Sequence, residues 1–177
     1  MTVPDLNRLP NKPGPGVEGK LLAAQQLSDS GQAYDLVVID SDREPPDHRR
    51  SEIAEAVAAV SPGLAHVPAI PVRMLEAWLL LDQSAIREVA GNPNGRMALN
   101  LPKPAKAESE ANPKALLKQA IATASGEKGR GLQKLQTRFS ANRARLLQML
   151  DREGPVRQLA SWRSFTDDLR EAVESSH

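Results

Sequence analysis

An α/β fold is predicted by this sequence, with a small, mostly parallel sheet flanked by helices and continued by a helical C-terminal lobe. Three observations carry the prediction. Leu36-Val37-Val38-Ile39 is apolar at four successive positions and runs into Asp40-Ser41-Asp42, the pattern of a strand covered on both faces with acid at its tip. Helical and strand patterns then alternate as α-β-α-β-α up to about residue 91, which is the order of a layered α/β core. Beyond residue 91 every periodic stretch is helical. The expected organisation is an irregular arm over 1–16, an α/β core over 17–91 and a helical lobe of the same domain over 92–177.

The arm carries Pro4, Pro10, Pro13, Pro15, Gly14 and Gly16, which forbid regular structure. Val17, Leu21, Ala24 and Leu27 form one stripe of a first helix, closed by Ser28-Asp29-Ser30-Gly31. The strand at 34–39 follows. Arg43-Glu44-Pro45-Pro46 breaks the chain, and Asp47 is placed to cap a helix whose apolar stripe is Ile53, Ala56, Val57 and Val60. Ala65–Val72 reads as a short strand near an edge, because Pro68 and Pro71 cannot donate to a ladder.

A long helix is expected from Met74 to Ala90, apolar on Leu75, Trp78, Leu79, Leu81, Ile86 and Val89 and closed by Gly91. The stretch 92–110 is a Pro-rich, charged excursion without a period, of the kind that covers a site or stays mobile. Asn112-Pro113 starts the next helix, with asparagine as cap and proline at the first helical position. After a glycine-bearing turn over 125–131, one helix is expected over Leu132–Asp151. Ser164-Phe165-Thr166-Asp167 resembles a capping box and opens a last helix to about Glu174.

Composition narrows the function classes. Hydrophobic residues make up 40% and charged residues 25%, and no apolar run approaches the roughly 20 residues that span a bilayer. With no apolar core of a signal peptide at the N-terminus and no cysteine, cytoplasm is the expected compartment and disulfides are excluded. Three scattered histidines argue against zinc and leave oxygen-ligated Mg²⁺ or Mn²⁺ as the metals to consider. A net charge of +1 is no footprint of nucleic-acid binding, although Lys128–Arg170 is rich in Arg and Lys.

Several motifs invite a chemical reading. Gly14 to Lys20 fits G-x-x-x-x-G-K, but no apolar strand precedes it, Leu21 replaces the hydroxyl residue that ligates Mg²⁺, and Pro15 removes an amide. The match is compositional. Asp40 and Asp42 alternate along an extended chain, so their carboxylates share a face and suit one cation or a Mg²⁺-bound phosphate. The plain alternative is that they cap a turn. Glu76 flanks Ala77-Trp78-Leu79-Leu80-Leu81 and would favourably meet a helix dipole as well as a site. Arg138 and Arg145 lie seven apart, share a side of one helix, and are candidates for phosphate contact beside a simple solvated face.

Four pieces taken together resemble a bacterial family of unknown function with a Toprim-like core, whose members are often encoded beside ABC-type or AAA ATPases in defence clusters. Asp35 to Asp42 is similar to its acidic strand, and Glu76 to Asp82 to its helix motif. Asn112-Pro113-Lys114 resembles its D-P-K segment, and Trp162-Arg163-Ser164-Phe165 its closing segment. The resemblance implies a Mg²⁺-dependent nuclease or nuclease-related component of phage defence. Asp40 and Asp42 would hold the metal, Glu76 would be a further acid, and Arg138 or Arg145 would touch DNA or RNA. The family's first strand, ending in glutamate and glycine, has no counterpart: Glu18-Gly19 mimics the dipeptide, but Pro13 to Val17 is no apolar strand. That departure implies weak or absent catalysis in this form. The rival expectation is a non-catalytic partner that docks on an ABC/AAA-type ATPase.

Overall fold

The computed structural model describes residues 14–29, 37–40, 45–71 and 75–175, which fall into two compact units. The first comprises residues up to Ile70 together with Phe165 onward, and the second runs from Pro71 to Ser164.

In the first unit, α1 (Gly16–Asp29) and α2 (Pro46–Val60) pack against each other. Val17 and Leu21 of α1 meet Ile53, Ala56 and Val57 of α2 and Ile70, so the apolar stripe of α2 is the one its sequence period marks. The two glycines of the G-x-x-x-x-G match serve packing: a side-chain carbon on Gly19 would collide with the backbone of Gly14. At α2 the cap position is Pro45, with no side-chain cap bond, and Asp47 sits in the first turn instead of capping it. Strand β1 (Val37–Asp40) pairs in parallel with β2 (His66–Ala69), with Val38 opposite Val67 and Asp40 opposite Ala69. Among the described residues the sheet consists of this one pair, so each strand has an unpaired edge, which accommodates Pro68 within β2.

The second unit is helical. It holds α3 (Glu76–Leu79), α4 (Gln83–Val89), α5 (Pro104–Ala107), α6 (Pro113–Ser125), α7 (Gly129–Thr137), α8 (Phe139–Met149), a 3₁₀ turn (Pro155–Gln158) and the start of α9 (Ala160–Ser175). Leu79, Leu80, Ile86, Leu117, Ile121 and Leu146 are the centre of its core. The expected helix over Met74–Ala90 is two helices, because Asp82 accepts a hydrogen bond from the Ala85 amide at 2.8 Å and starts α4 afresh. Gly91, at φ 78°, closes α4 as expected. Asn112 caps α6 by accepting from the Ala115 amide at 3.0 Å, and Gly126 ends it in the left-handed conformation.

The helix expected over Leu132–Asp151 is likewise two. Thr137 Oγ1 donates to the Lys134 carbonyl at 2.9 Å, the acceptor that the Arg138 amide would use in a continuous helix, and that amide turns to Leu135 O instead. The last helix starts at Ala160, four residues before the expected capping box. The excursion over 92–110 is tied down: Leu99 and Ala107 are buried, and Arg87 Nη2 donates to the Met97 carbonyl at 2.6 Å.

The predicted α/β fold, a Toprim-like parallel sheet flanked by helices, is therefore corrected. Among the described residues helix predominates and the strand content is one short parallel pair. A strand sandwiched between helix layers would bury both faces, yet Val38 is 37% exposed. An apolar run shows that a strand wants cover, but not how many strands stand beside it.

Candidate functional site

The predicted metal site is only partly in view. Asp40 is the last residue of β1, at the carboxyl end of the parallel pair. Asp42 lies outside the described residues. Among the described residues no three His, Asp or Glu side chains gather as metal ligands would.

Glu76 opens α3, as expected of an acid at a helix start, but its surroundings are not those of an exposed dipole partner. All four residues of α3 are buried, and the Glu76 carboxylate is 3% exposed. Arg143 of α8 reaches it, Nη1 to Oε1 at 3.1 Å, while its own side chain is 39% exposed. A buried carboxylate needs such a partner, because its desolvation costs several kcal/mol that only a nearby cation and hydrogen bonds offset. Arg143 thus joins α8 to α3, a role hidden within the row of arginines that reads as a solvated helix face.

Beside this pair lies a second polar network. Trp78 Nε1 donates to Ser161 Oγ at 2.8 Å, and Trp78 meets Trp162 edge to face, with centroids 5.1 Å apart and planes at 89°. Ser161 Oγ donates in turn to Glu108 Oε1. The same carboxylate accepts from the backbone amides of Ser161 at 3.0 Å and Ala160 at 3.2 Å. Glu108 is therefore the cap of α9, supplied from the excursion and not from the helix's own flank. Sequence reasoning missed Glu108 and Ser161, since a cap about fifty residues away leaves no local signal.

The two candidate phosphate contacts part company. Arg145 Nη2 lies 3.3 Å from Glu88 Oε1, both side chains being more than half exposed. Arg138 stands at the junction of α7 and α8, exposed, with no ion pair to it among the described residues. They do not share one helix face, because the helix that would align them is broken at Arg138.

In the second unit the residues that carried the family resemblance are packing and capping residues. Glu76 and Trp78 hold Arg143, Ser161 and Trp162, and Asn112-Pro113 starts the helix on which α3 packs. Comparison of the chain with protein-family models, with curated proteins and with solved structures finds no match in any of the three. No helix among the described residues is long and apolar enough to cross a membrane.

Proposed function

We propose that the chain is a Mg²⁺- or Mn²⁺-dependent phosphodiesterase component acting on DNA or RNA in the cytoplasm, with the ion held by Asp40 and Asp42. One observation carries the reading: β1 ends at Asp40 at the carboxyl edge of a parallel strand pair, so an acid stands at the strand end and a second, Asp42, follows two residues on in the sequence. A donor set of carboxylates alone suits a hard cation that keeps part of its water shell. The bound ion supplies charge stabilisation at the phosphoryl oxygens and an activated water. The buried Glu76 carboxylate, paired with Arg143, is left out of this chemistry.

A second reading is favoured by a different observation. In the larger unit three acids are engaged in holding the fold, Glu76 with Arg143, Asp82 on α4 and Glu108 on α9, and Glu88 pairs with Arg145 at the surface. Such a unit suits a non-catalytic partner that docks on an ABC/AAA-type ATPase.

Nicking of plasmid DNA or cleavage of RNA with Mn²⁺ present tests both readings. The first expects metal-dependent cleavage that EDTA stops and that Asp42→Asn lowers by about a hundredfold or more with an unchanged melting temperature. Equal cleavage by wild type and Asp42→Asn removes the acidic pair from the chemistry. No cleavage, with ATPase binding that survives Asp40→Asn and Asp42→Asn, establishes the partner reading.

A further inference from the structure

The net charge of +1 hides a sorting of charge between the two units. Residues 71–164 hold sixteen Lys and Arg against eight Asp and Glu, whereas the remainder holds seven against fourteen. Within the basic unit the excess is local. From Lys128 to Leu150 there are six basic residues and no acidic one. Two of the six are engaged, Arg143 by Glu76 and Arg145 by Glu88. Lys128, Arg130, Lys134 and Arg138 are exposed and take part in no ion pair among the described residues.

Three of these four are aligned. Arg130, Lys134 and Arg138 follow at i, i+4 and i+8 along α7 and its C-cap, so they stand on one face of the helix, about 6 Å apart along its axis. Leu132, Leu135 and Phe139 lie on the opposite stripe and are half-buried, Leu135 and Phe139 against the unit's apolar core. Gln133 and Thr137, both exposed, fill the rest of the basic face with hydrogen-bonding groups. The face has no exposed aromatic or aliphatic side chain to enter a lipid layer, which separates it from an interfacial membrane helix.

We infer that the Arg130–Lys134–Arg138 face of α7 is a binding surface for the sugar-phosphate backbone of a single nucleic-acid strand. The axial step between the cations is comparable to the separation of successive phosphates on a strand, and unpaired cations give up no internal ion pair on binding. Release of condensed counterions from the strand supplies the driving force, independent of base sequence. The inference rests on the reading of the chain as acting on nucleic acid, but uses none of its metal chemistry.

The test is fluorescence anisotropy of a labelled single-stranded oligonucleotide, DNA and RNA in turn, with the full chain in EDTA at low salt. The triple variant Arg130→Gln, Lys134→Gln, Arg138→Gln is compared with a control of equal charge loss, Arg96→Gln, Arg152→Gln, Arg157→Gln, drawn from exposed arginines of the same unit. Circular dichroism checks that both fold. The expected result is affinity lowered about tenfold or more in the first variant only, and a plot of log K against log salt shallower by about 2, at roughly 0.7 for each phosphate no longer neutralised. Because binding is read in EDTA and cleavage with Mn²⁺, loss of oligonucleotide binding and lack of metal-dependent cleavage are separate events, and the metal reading can fail without this one. Equal loss in both triple variants would reduce the effect to net charge and overturn the assignment. So would absence of oligonucleotide binding, and if polyglutamate bound instead and was lost with α7, the face would belong to an acidic protein partner.

Discussion

The two units of this chain are held together differently. Among the described residues the first unit buries aliphatic side chains, Val17, Leu21, Ile53, Ala56, Val57 and Ile70, and no polar one. The second has the larger apolar cluster and also buries Glu76, Arg87 and Ser161. Apolar packing tolerates exchange among side chains of similar volume, whereas a buried polar group fixes its partner and its geometry. The second unit is accordingly the one in which single polar deletions cost as much as core deletions.

The comparison is broken or sharpened by four substitutions, in descending order of effect. Arg143→Ala leaves the Glu76 carboxylate buried and unpaired, and should destabilise the chain by about 3 kcal/mol in urea unfolding. Ser161→Ala removes the acceptor of the Trp78 indole N–H and one donor to Glu108, an expected loss of about 2 kcal/mol with a changed near-ultraviolet circular dichroism spectrum. A spectrum that stays the same would count against the indole bond. Glu76→Gln should cost only about 1 kcal/mol, because Arg143 is 39% exposed and can turn to water. Equal effects of Arg143→Ala and Glu76→Gln would mean that the carboxylate is not the buried partner. In the first unit Arg50 Nη1 lies 2.8 Å from Asp168 Oδ2, with side chains 44% and 25% exposed. Asp168→Asn should change stability by less than about 1 kcal/mol, and a loss as large as that of Arg143→Ala would erase the contrast.

Sequence legibility followed the range of the interaction. Asn112-Pro113 announced α6, Gly91 closed α4, and the Ile53, Ala56, Val57 stripe marked the buried face of α2, because each signal and its effect lie within one turn. The breaks at Asp82 and Arg138 were harder, since the apolar period runs on through both. Only the competition of one side chain for a backbone group, Asp82 for an amide and Thr137 for a carbonyl, interrupts the helix. The capping of α9 by Glu108 and the pairing of Arg143 with Glu76 join distant parts of the chain and leave no periodic trace. The same holds for the sheet: a strand is legible over 34–39 and β1 spans Val37–Asp40, whereas its number of neighbours could not be read. Of the candidate site, the place of Asp40 at a strand end and of Glu76 at a helix start could be read, whereas the burial of Glu76 could not.

The edge-to-face pair of Trp78 and Trp162 has an optical consequence. The chain contains two tryptophans, and both belong to the second unit. The one tyrosine, Tyr34, falls outside that unit. Indole emission therefore reports on a single unit, and an unfolding curve followed at that wavelength is blind to the aliphatic one. Two midpoints, one from tryptophan emission and one from far-ultraviolet circular dichroism, are the minimum description of melting in a molecule whose indole rings are both on one side of its division.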